Sequence, residues 1–209
     1  MEQNPVTKSL DLTGKVAIIT GGSRGIGRSI ATGFAQHGAS VVITSRDQSS
    51  CEKTVKEITK TGGTAIPVAA HIGKLSQVEN LVQQTVEAYG TVDIIVNNAA
   101  NPLMLGVGDI TPEAWEKALN TNLRGPVFLV QESLPYLEAG AGGSVINMLS
   151  NAAFMYPPNH LLYSVAKAGL DAATRSMAAQ LASKNIRVNA MVPGTVDTDM
   201  VQAMPESLQ

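Results

Sequence analysis

The amino-acid sequence predicts an α/β fold, a doubly wound parallel sheet of six strands with helices on both faces. Three observations predict it. Strand-like and helix-like segments alternate along most of the chain. The first strand runs into a glycine-rich turn that opens a helical stretch. The residue types able to carry chemistry follow strands at their carboxyl ends, the edge on which ligands of such sheets bind.

The elements read as follows. Lys15 to Thr20 holds a short apolar run, Val16-Ala17-Ile18-Ile19, typical of a buried strand. Thr20-Gly21-Gly22-Ser23-Arg24-Gly25-Ile26-Gly27 follows, and then a helix from Arg28 to His37. The second strand is Ser40 to Ser45. A helix near Ser49–Thr61 places Cys51, Val55 and Ile58 on one face, and Gly62-Gly63 ends it. Strand three is Thr64 to Ala70. The next helix starts near Ser76, with Val78, Leu81, Val82 and Val86 in helical period, and Gly90 closes it. Strand four is Val92 to Asn97. Thr111-Pro112-Glu113 opens another helix with a threonine cap, a proline in the first turn and an acid near the positive end. That helix runs to about Leu137 and is expected to bend or break at Gly125-Pro126 and at Pro135. Strand five is Ser144 to Leu149, and a helix spans Asn159 to Ala182. The sixth strand, Ile186 to Met191, has Ile186, Val188, Ala190 and Val192 as its buried set and an open apolar edge.

Tyr163 and Lys167 carry the clearest chemical signal. Four residues apart on a helix, they share a face. A neighbouring cation stabilises a phenolate and draws a tyrosine pKa down from about 10. Ser150, thirteen residues before the tyrosine, offers a hydroxyl to a carbonyl or alkoxide oxygen. Together they suit proton transfer to or from an alcohol oxygen, which leaves a carbon that needs a hydride.

The glycine turn offers a place for a hydride carrier. Backbone N–H groups and the helix dipole face an anion, and missing side chains let a pyrophosphate approach. The spacing is G-x-x-x-G-x-G rather than the usual dinucleotide G-x-G-x-x-G. At the end of strand two there is no carboxylate at Ser45 or Arg46, and Asp47 comes late for a ribose contact. Arg46, with Arg24, suits a 2′-phosphate, so NADPH is expected to be preferred over NADH; alternatively Arg46 is a solvated strand-end charge.

Taken together, these residues resemble the short-chain dehydrogenase/reductase family. The resemblance runs from about Leu12 to Met200. It rests on the Thr20–Gly27 turn, Asn97-Asn98-Ala99-Ala100, Asn122, Ser150, Tyr163, Lys167 and Pro193-Gly194 in order. It implies a Rossmann-type fold and assigns roles. Tyr163 would be the general acid in reduction and the base in oxidation. Lys167 would lower its pKa and hold the nicotinamide ribose, and Ser150 would bond the substrate oxygen. Asn122 would order a water on a proton path from the lysine. Gly21, Ser23, Arg24, Gly25, Ile26, Gly27, Arg46, Ile72, Asn98 and Ala99 would lie along the cofactor, and Val196 and Thr198, after Pro193-Gly194, would position its carboxamide. His71 stands where the family often has an aspartate at adenine; it either contacts the base or is an exposed loop residue. Ala100 stands where the family often has glycine.

The resemblance also leads to the expectation that the family's last strand and helix are missing here, because only nine residues follow Met200. The chain would then be a shortened protein or a truncated version of a longer one. Dimerisation is implied through the helices bearing Trp115 to Leu137 and Tyr163 to Leu181, with a tetramer left open. The loop Asn151 to Pro158, apolar with aromatics, is expected to line the substrate pocket and suits a hydrophobic or acyl carbonyl compound.

Length and composition fit one domain with a sizeable core, 209 residues with 44% hydrophobic content. A net charge of −2 and the lack of basic runs argue against a nucleic-acid partner. A single cysteine, Cys51, rules out an internal disulfide and reads as structural in a reducing compartment. His37, His71 and His160 do not cluster in sequence, so no metal is expected. Met1 to Leu12 is polar and no run reaches membrane length, so a cytoplasmic protein is expected. Two other readings compete with an enzyme: a non-catalytic dinucleotide-binding module, and an inactive fragment.

Overall fold

The structure, a computed structural model, describes residues 10–140, 142–198 and 202. Six parallel strands form one sheet in the order β3-β2-β1-β4-β5-β6. They are β1 (Val16–Thr20), β2 (Ser40–Ser45), β3 (Thr64–Ala69), β4 (Ile94–Asn97), β5 (Gly143–Met148) and β6 (Ile186–Met191). The order reverses direction between β1 and β4, which opens the ligand crevice at their carboxyl ends.

Side-chain alternation along the strands feeds two cores. Ala17, Ile19, Val41, Ile43 and Val96 point to one face. There they meet α1 (Gly25–Gln36) and α2 (Gln48–Lys60) through Ala31, Ala35, Cys51 and Ile58. Ile18, Val42, Ile95, Val145 and Val188 point to the other. They meet α3 (Leu75–Tyr89), α5 (Gly125–Ala139) and α6 (Leu161–Leu181) through Val78, Leu81, Leu129, Leu137 and Leu181. Cys51 is buried in the first core beside the Ser45 hydroxyl, 3.1 Å away, as a structural residue should be.

The helix starts explain themselves. Asp47 caps α2: its Oδ1 accepts from the Ser50 amide at 2.8 Å and from the Ser49 and Ser50 hydroxyls. Thr111 caps α4 (Pro112–Leu119), accepting from the Ala114 amide at 3.2 Å. Gly90, in the left-handed conformation at φ 79°, ends α3. Helix α1 starts at Gly25, three residues before the predicted start, so the last two glycines of the turn fall within it.

The expected break in the long helix falls directly before Gly125-Pro126 and not at Pro135. A π-turn, Asn120–Arg124, joins α4 to α5, and Pro135 lies inside α5 without ending it. Close packing sets the position. A Cβ on Gly125 would lie 2.3 Å from the Ile72 carbonyl oxygen, so only glycine lets this backbone rest on the loop after β3. Arg124 completes the contact by donating to the Gly73 carbonyl at 2.9 Å.

Strand β6 corrects one expectation. Ile186 and Val188 are buried, but Ala190 and Val192 are exposed and Val192 lies beyond the strand. Alternation puts Ala190 on the same face as Val188, yet described residues cover only the first half of that strand. At the opposite rim, β3 contains Pro67, which sheets tolerate at an edge.

Gly125→Ala is expected to destabilise the fold by about 1–3 kcal/mol through overpacking. Gly33→Ala, inside α1 with open space at its Cβ, is expected to stabilise by roughly 0.5–1 kcal/mol. Urea unfolding midpoints of both variants check the contrast.

Candidate active site

The glycine turn sits at the crevice between β1 and β4. Gly21 and Gly25 have φ of 65° and 53°, which favour glycine. A Cβ on Gly27 would lie 2.2 Å from the Gly21 oxygen and 2.5 Å from the Asn98 amide nitrogen. The turn is therefore folded on itself with its backbone bare. Helix α1 has no side-chain cap and no acid in its first turn, so its amides and dipole face the crevice. These residues fit the pyrophosphate of a dinucleotide.

Asn98 and Ala99 build this turn. Asn98 Nδ2 donates to the Thr20 and Gly21 carbonyls at 2.9 and 3.3 Å. The Asn98 and Ala99 amides both donate to the Thr20 hydroxyl at 2.9 Å. Thr198 lies against the same turn, its Cγ2 3.3 Å from where a Gly25 Cβ would be. The segment after β6 thus folds back over the glycines, with Pro193 accepting from the Asn151 amide at 3.4 Å and Val196 exposed.

Arg46 is exposed at the end of β2. Asp47 next to it is engaged as the α2 cap, so the nearest carboxylate is already hydrogen-bonded. The His71 ring, half-buried, folds onto its own loop: Nδ1 accepts from the Gly73 amide at 3.0 Å. Burial, followed by the positive charge of Arg46, holds the His71 imidazole below its ordinary pKa. Arg46 and His71 thus belong to one end of the crevice, and Ile72 is buried behind them.

The second half of the site is built on α6. Lys167 is 2% exposed, and its Nζ donates to the Met148 carbonyl at 2.6 Å and lies 5.6 Å from the Tyr163 ring centre. Burial lowers the Lys167 pKa from its ordinary value to about 8. Tyr163 goes the other way. Burial pushes its phenol up, and the Ser150 side chain pulls it part of the way back. The lowering expected from Lys167 is therefore not the net result in the protein alone, because the ammonium is directed to Met148. Ser150 also accepts from the Ala152 amide at 3.2 Å and donates to Asn151 Oδ1 at 3.1 Å, so it ends β5 and caps the next turn as well as meeting Tyr163.

Asn122 is fully buried in the π-turn and its side chain is saturated. Oδ1 accepts from the Asn101 amide, and Nδ2 donates to the Asn101 and Ala118 carbonyls, all at 2.9 Å.

The Asn151–Pro158 loop does not line one pocket as expected. Ala152 and Ala153 are buried, whereas Phe154, Met155 and Tyr156 are exposed. Tyr156 and Pro157 border a groove of about 560 Å³ with Leu105, Val107, Leu161 and Val165. That groove follows the Leu161–Val165–Ala168 stripe of α6 rather than the Tyr163–Lys167 stripe.

The family model described as short chain dehydrogenase matches residues 15–209. This chain belongs to the short-chain dehydrogenase family. It is 37% identical over 199 residues to the human dehydrogenase/reductase SDR family member 4, an alignment covering 95% of this chain and 72% of that protein. A crystal structure of a dehydrogenase/reductase from Sinorhizobium meliloti superposes with a TM-score of 0.92 at 35% identity, over 97% of this chain and 81% of that one. A short chain dehydrogenase from Burkholderia cenocepacia, solved in complex with NADP, has a TM-score of 0.86 at 36% identity, over 90% and 77% of the two chains. The chain is thus an oxidoreductase of a family that uses nicotinamide dinucleotides. No helix among the described residues is long and apolar enough to cross a membrane.

Sequence reasoning did not foresee the buried Asn147, because a lone asparagine within a strand carries no periodic signal.

Lys167→Met is expected to remove a pH dependence of stability. The folded pKa of about 8 lies below the ordinary 10.5, so the unfolded chain holds more protons between those values. Wild-type stability should therefore rise with pH across that window, by roughly 3 kcal/mol at most. Denaturant unfolding of both proteins at pH 8 and 10.5 checks that the variant lacks the rise.

Proposed function

We propose that this chain reduces a ketone, or oxidises a secondary alcohol, using NADP(H), with Tyr163 as the general acid and base. The observation that carries the reading is the meeting of Ser150, Tyr163 and the buried Lys167 at the crevice edge that also holds the bare glycine turn. When bound, the dinucleotide supplies or takes up hydride. Gly21 to Gly27 would hold its pyrophosphate, and Arg46 with Arg24 its 2′-phosphate. Ser150 would donate to the substrate oxygen, fixing it beside Tyr163. Tyr163 would give its proton to that oxygen in reduction and take it back in oxidation. Lys167, with a pKa of about 8, would hold the nicotinamide ribose and relay protons through a water ordered by Asn122. A hydrophobic carbonyl substrate agrees with the apolar residues after Ser150. A cytoplasmic location agrees with the composition.

Fluorescence titration with NADPH and NADH, paired with turnover of a ketone panel, tests this reading. Tyr163→Phe should lower turnover by at least about a hundredfold while leaving the NADPH Kd within about twofold. Arg46→Ala should weaken NADPH by about ten- to a hundredfold and leave NADH nearly unchanged. A Phe variant with near-normal turnover would refute the role of Tyr163, and equal wild-type constants for the two cofactors would refute the preference.

The same reading includes a homodimer across α4, α5 and α6. Trp115, Leu161 and Val165 are exposed on these helices, and the apolar groove beside Leu161 and Val165 continues that surface. Light scattering should give twice the chain mass for the wild type and a shift toward the single-chain mass for Val165→Glu; a wild-type monomer would overturn the assignment.

A further inference from the structure

A chain of buried polar groups runs across the core next to the site. Asn97 Nδ2 on β4 donates to Asn147 Oδ1 on β5 at 2.8 Å and to the Pro126 carbonyl at 3.3 Å. Asn147 Nδ2 donates to the Thr174 hydroxyl on α6 at 2.8 Å. The Thr174 hydroxyl donates to the Leu170 carbonyl at 2.6 Å. Asn97, Asn147, Leu170 and Thr174 are each at most 4% exposed. Apart from the branch to Pro126 on α5, the run leads from β4 through β5 to α6, each donor meeting an acceptor on the next group.

Its position gives this run a meaning. Thr174 lies seven residues after Lys167, two helical turns along the same stripe of α6. Asn147 immediately precedes Met148, whose carbonyl receives the Lys167 ammonium. Helix α6 is thus held to β5 by two polar bonds, Asn147 to Thr174 and Lys167 to Met148, in a face otherwise packed by apolar side chains. Apolar packing tolerates small slides and rotations, whereas a directed hydrogen bond between buried groups does not. Apolar residues of similar volume would fill the space, so the use of buried polar groups here is best explained by register.

We propose that Asn147 and Thr174 are positioning residues that set the rotation and register of α6, and so hold Lys167 on the Met148 carbonyl. The proposal rests on the roles given above to Tyr163 and Lys167. Without the Thr174 bond, Lys167 to Met148 is the polar bond left between the described residues of α6 and β5, and Lys167 gains freedom to leave its carbonyl for water. The titratable group facing Lys167 is Tyr163, and the shift of the lysine itself stems from burial. A better hydrated ammonium therefore titrates higher.

The test compares wild type, Thr174→Val, Thr174→Ser and the double variant N147L/T174V. Two quantities are read: kcat against KM for the cofactor, and the Lys167 titration midpoint by NMR of lysine-labelled protein. Thr174→Val should lower kcat about tenfold, keep the cofactor KM within about twofold, and raise the Lys167 midpoint by half a unit or more. Thr174→Ser, which keeps the hydroxyl, should restore both. The double variant removes donor and acceptor together, leaves neither of that pair unpaired, and should behave like Thr174→Val. An unchanged Lys167 midpoint in either Val-containing variant overturns the proposal. Loss of fold in both would mark the run as structural and overturn it equally. If Tyr163→Phe proves as active as wild type, the catalytic reading fails, while the titration still decides whether Thr174 positions Lys167.

Discussion

The structure depends on the approach of Gly27 to Gly21, a contact so close that a single methyl would collide with a backbone oxygen. This contact brings the start of α1 against the end of β1. The Asn98 amide then locks the turn from the β4 side. One asparagine thereby ties together the two strands between which the sheet reverses direction. The glycine turn and the sheet's switch point are one construction, and neither can shift without the other.

The other half of the site depends on a different kind of constraint. Among the described residues, Lys167 is the largest fully buried side chain, and burying an ammonium in a sheet-helix interface costs free energy. The Met148 carbonyl offsets part of that cost and fixes where the charge sits. The protein therefore presents Tyr163 with a cation whose own proton is loosely held, rather than with a fixed external charge. The tyrosine, buried beside it, resists ionisation in the protein alone. Burial thus disfavours both the phenolate and the ammonium of this pair.

Much of this was legible in the sequence because it is periodic or punctuated. β2 and β6 were read to the residue, and helix α2 to within one, since glycines, caps and apolar period mark their ends. The Tyr163–Lys167 pair follows from helical spacing alone. The π-turn was not legible. Gly125-Pro126 announces a disturbance, but its position depends on the Ile72 carbonyl, which is fifty-three residues away in sequence. Ala190 and Val192 were misread because alternation tells which face a residue takes, not whether anything covers that face. The direction of the Tyr163 shift was misread because helical spacing puts an ammonium near a phenol without revealing that a strand carbonyl has claimed it.

The two rims of the sheet are chemically unequal. On β3, Pro67 removes one backbone donor, and in an edge strand the donor lost is the outward one. On β6, no proline interrupts the strand, and its outer backbone groups meet no described strand. Growth of this sheet by strand addition is therefore one-sided. Any additional strand, whether from the same polypeptide or from another molecule, has a complete hydrogen-bonding template at β6 and a defective one at β3. The molecule thus has a built-in polarity of assembly, directed away from the β3 rim.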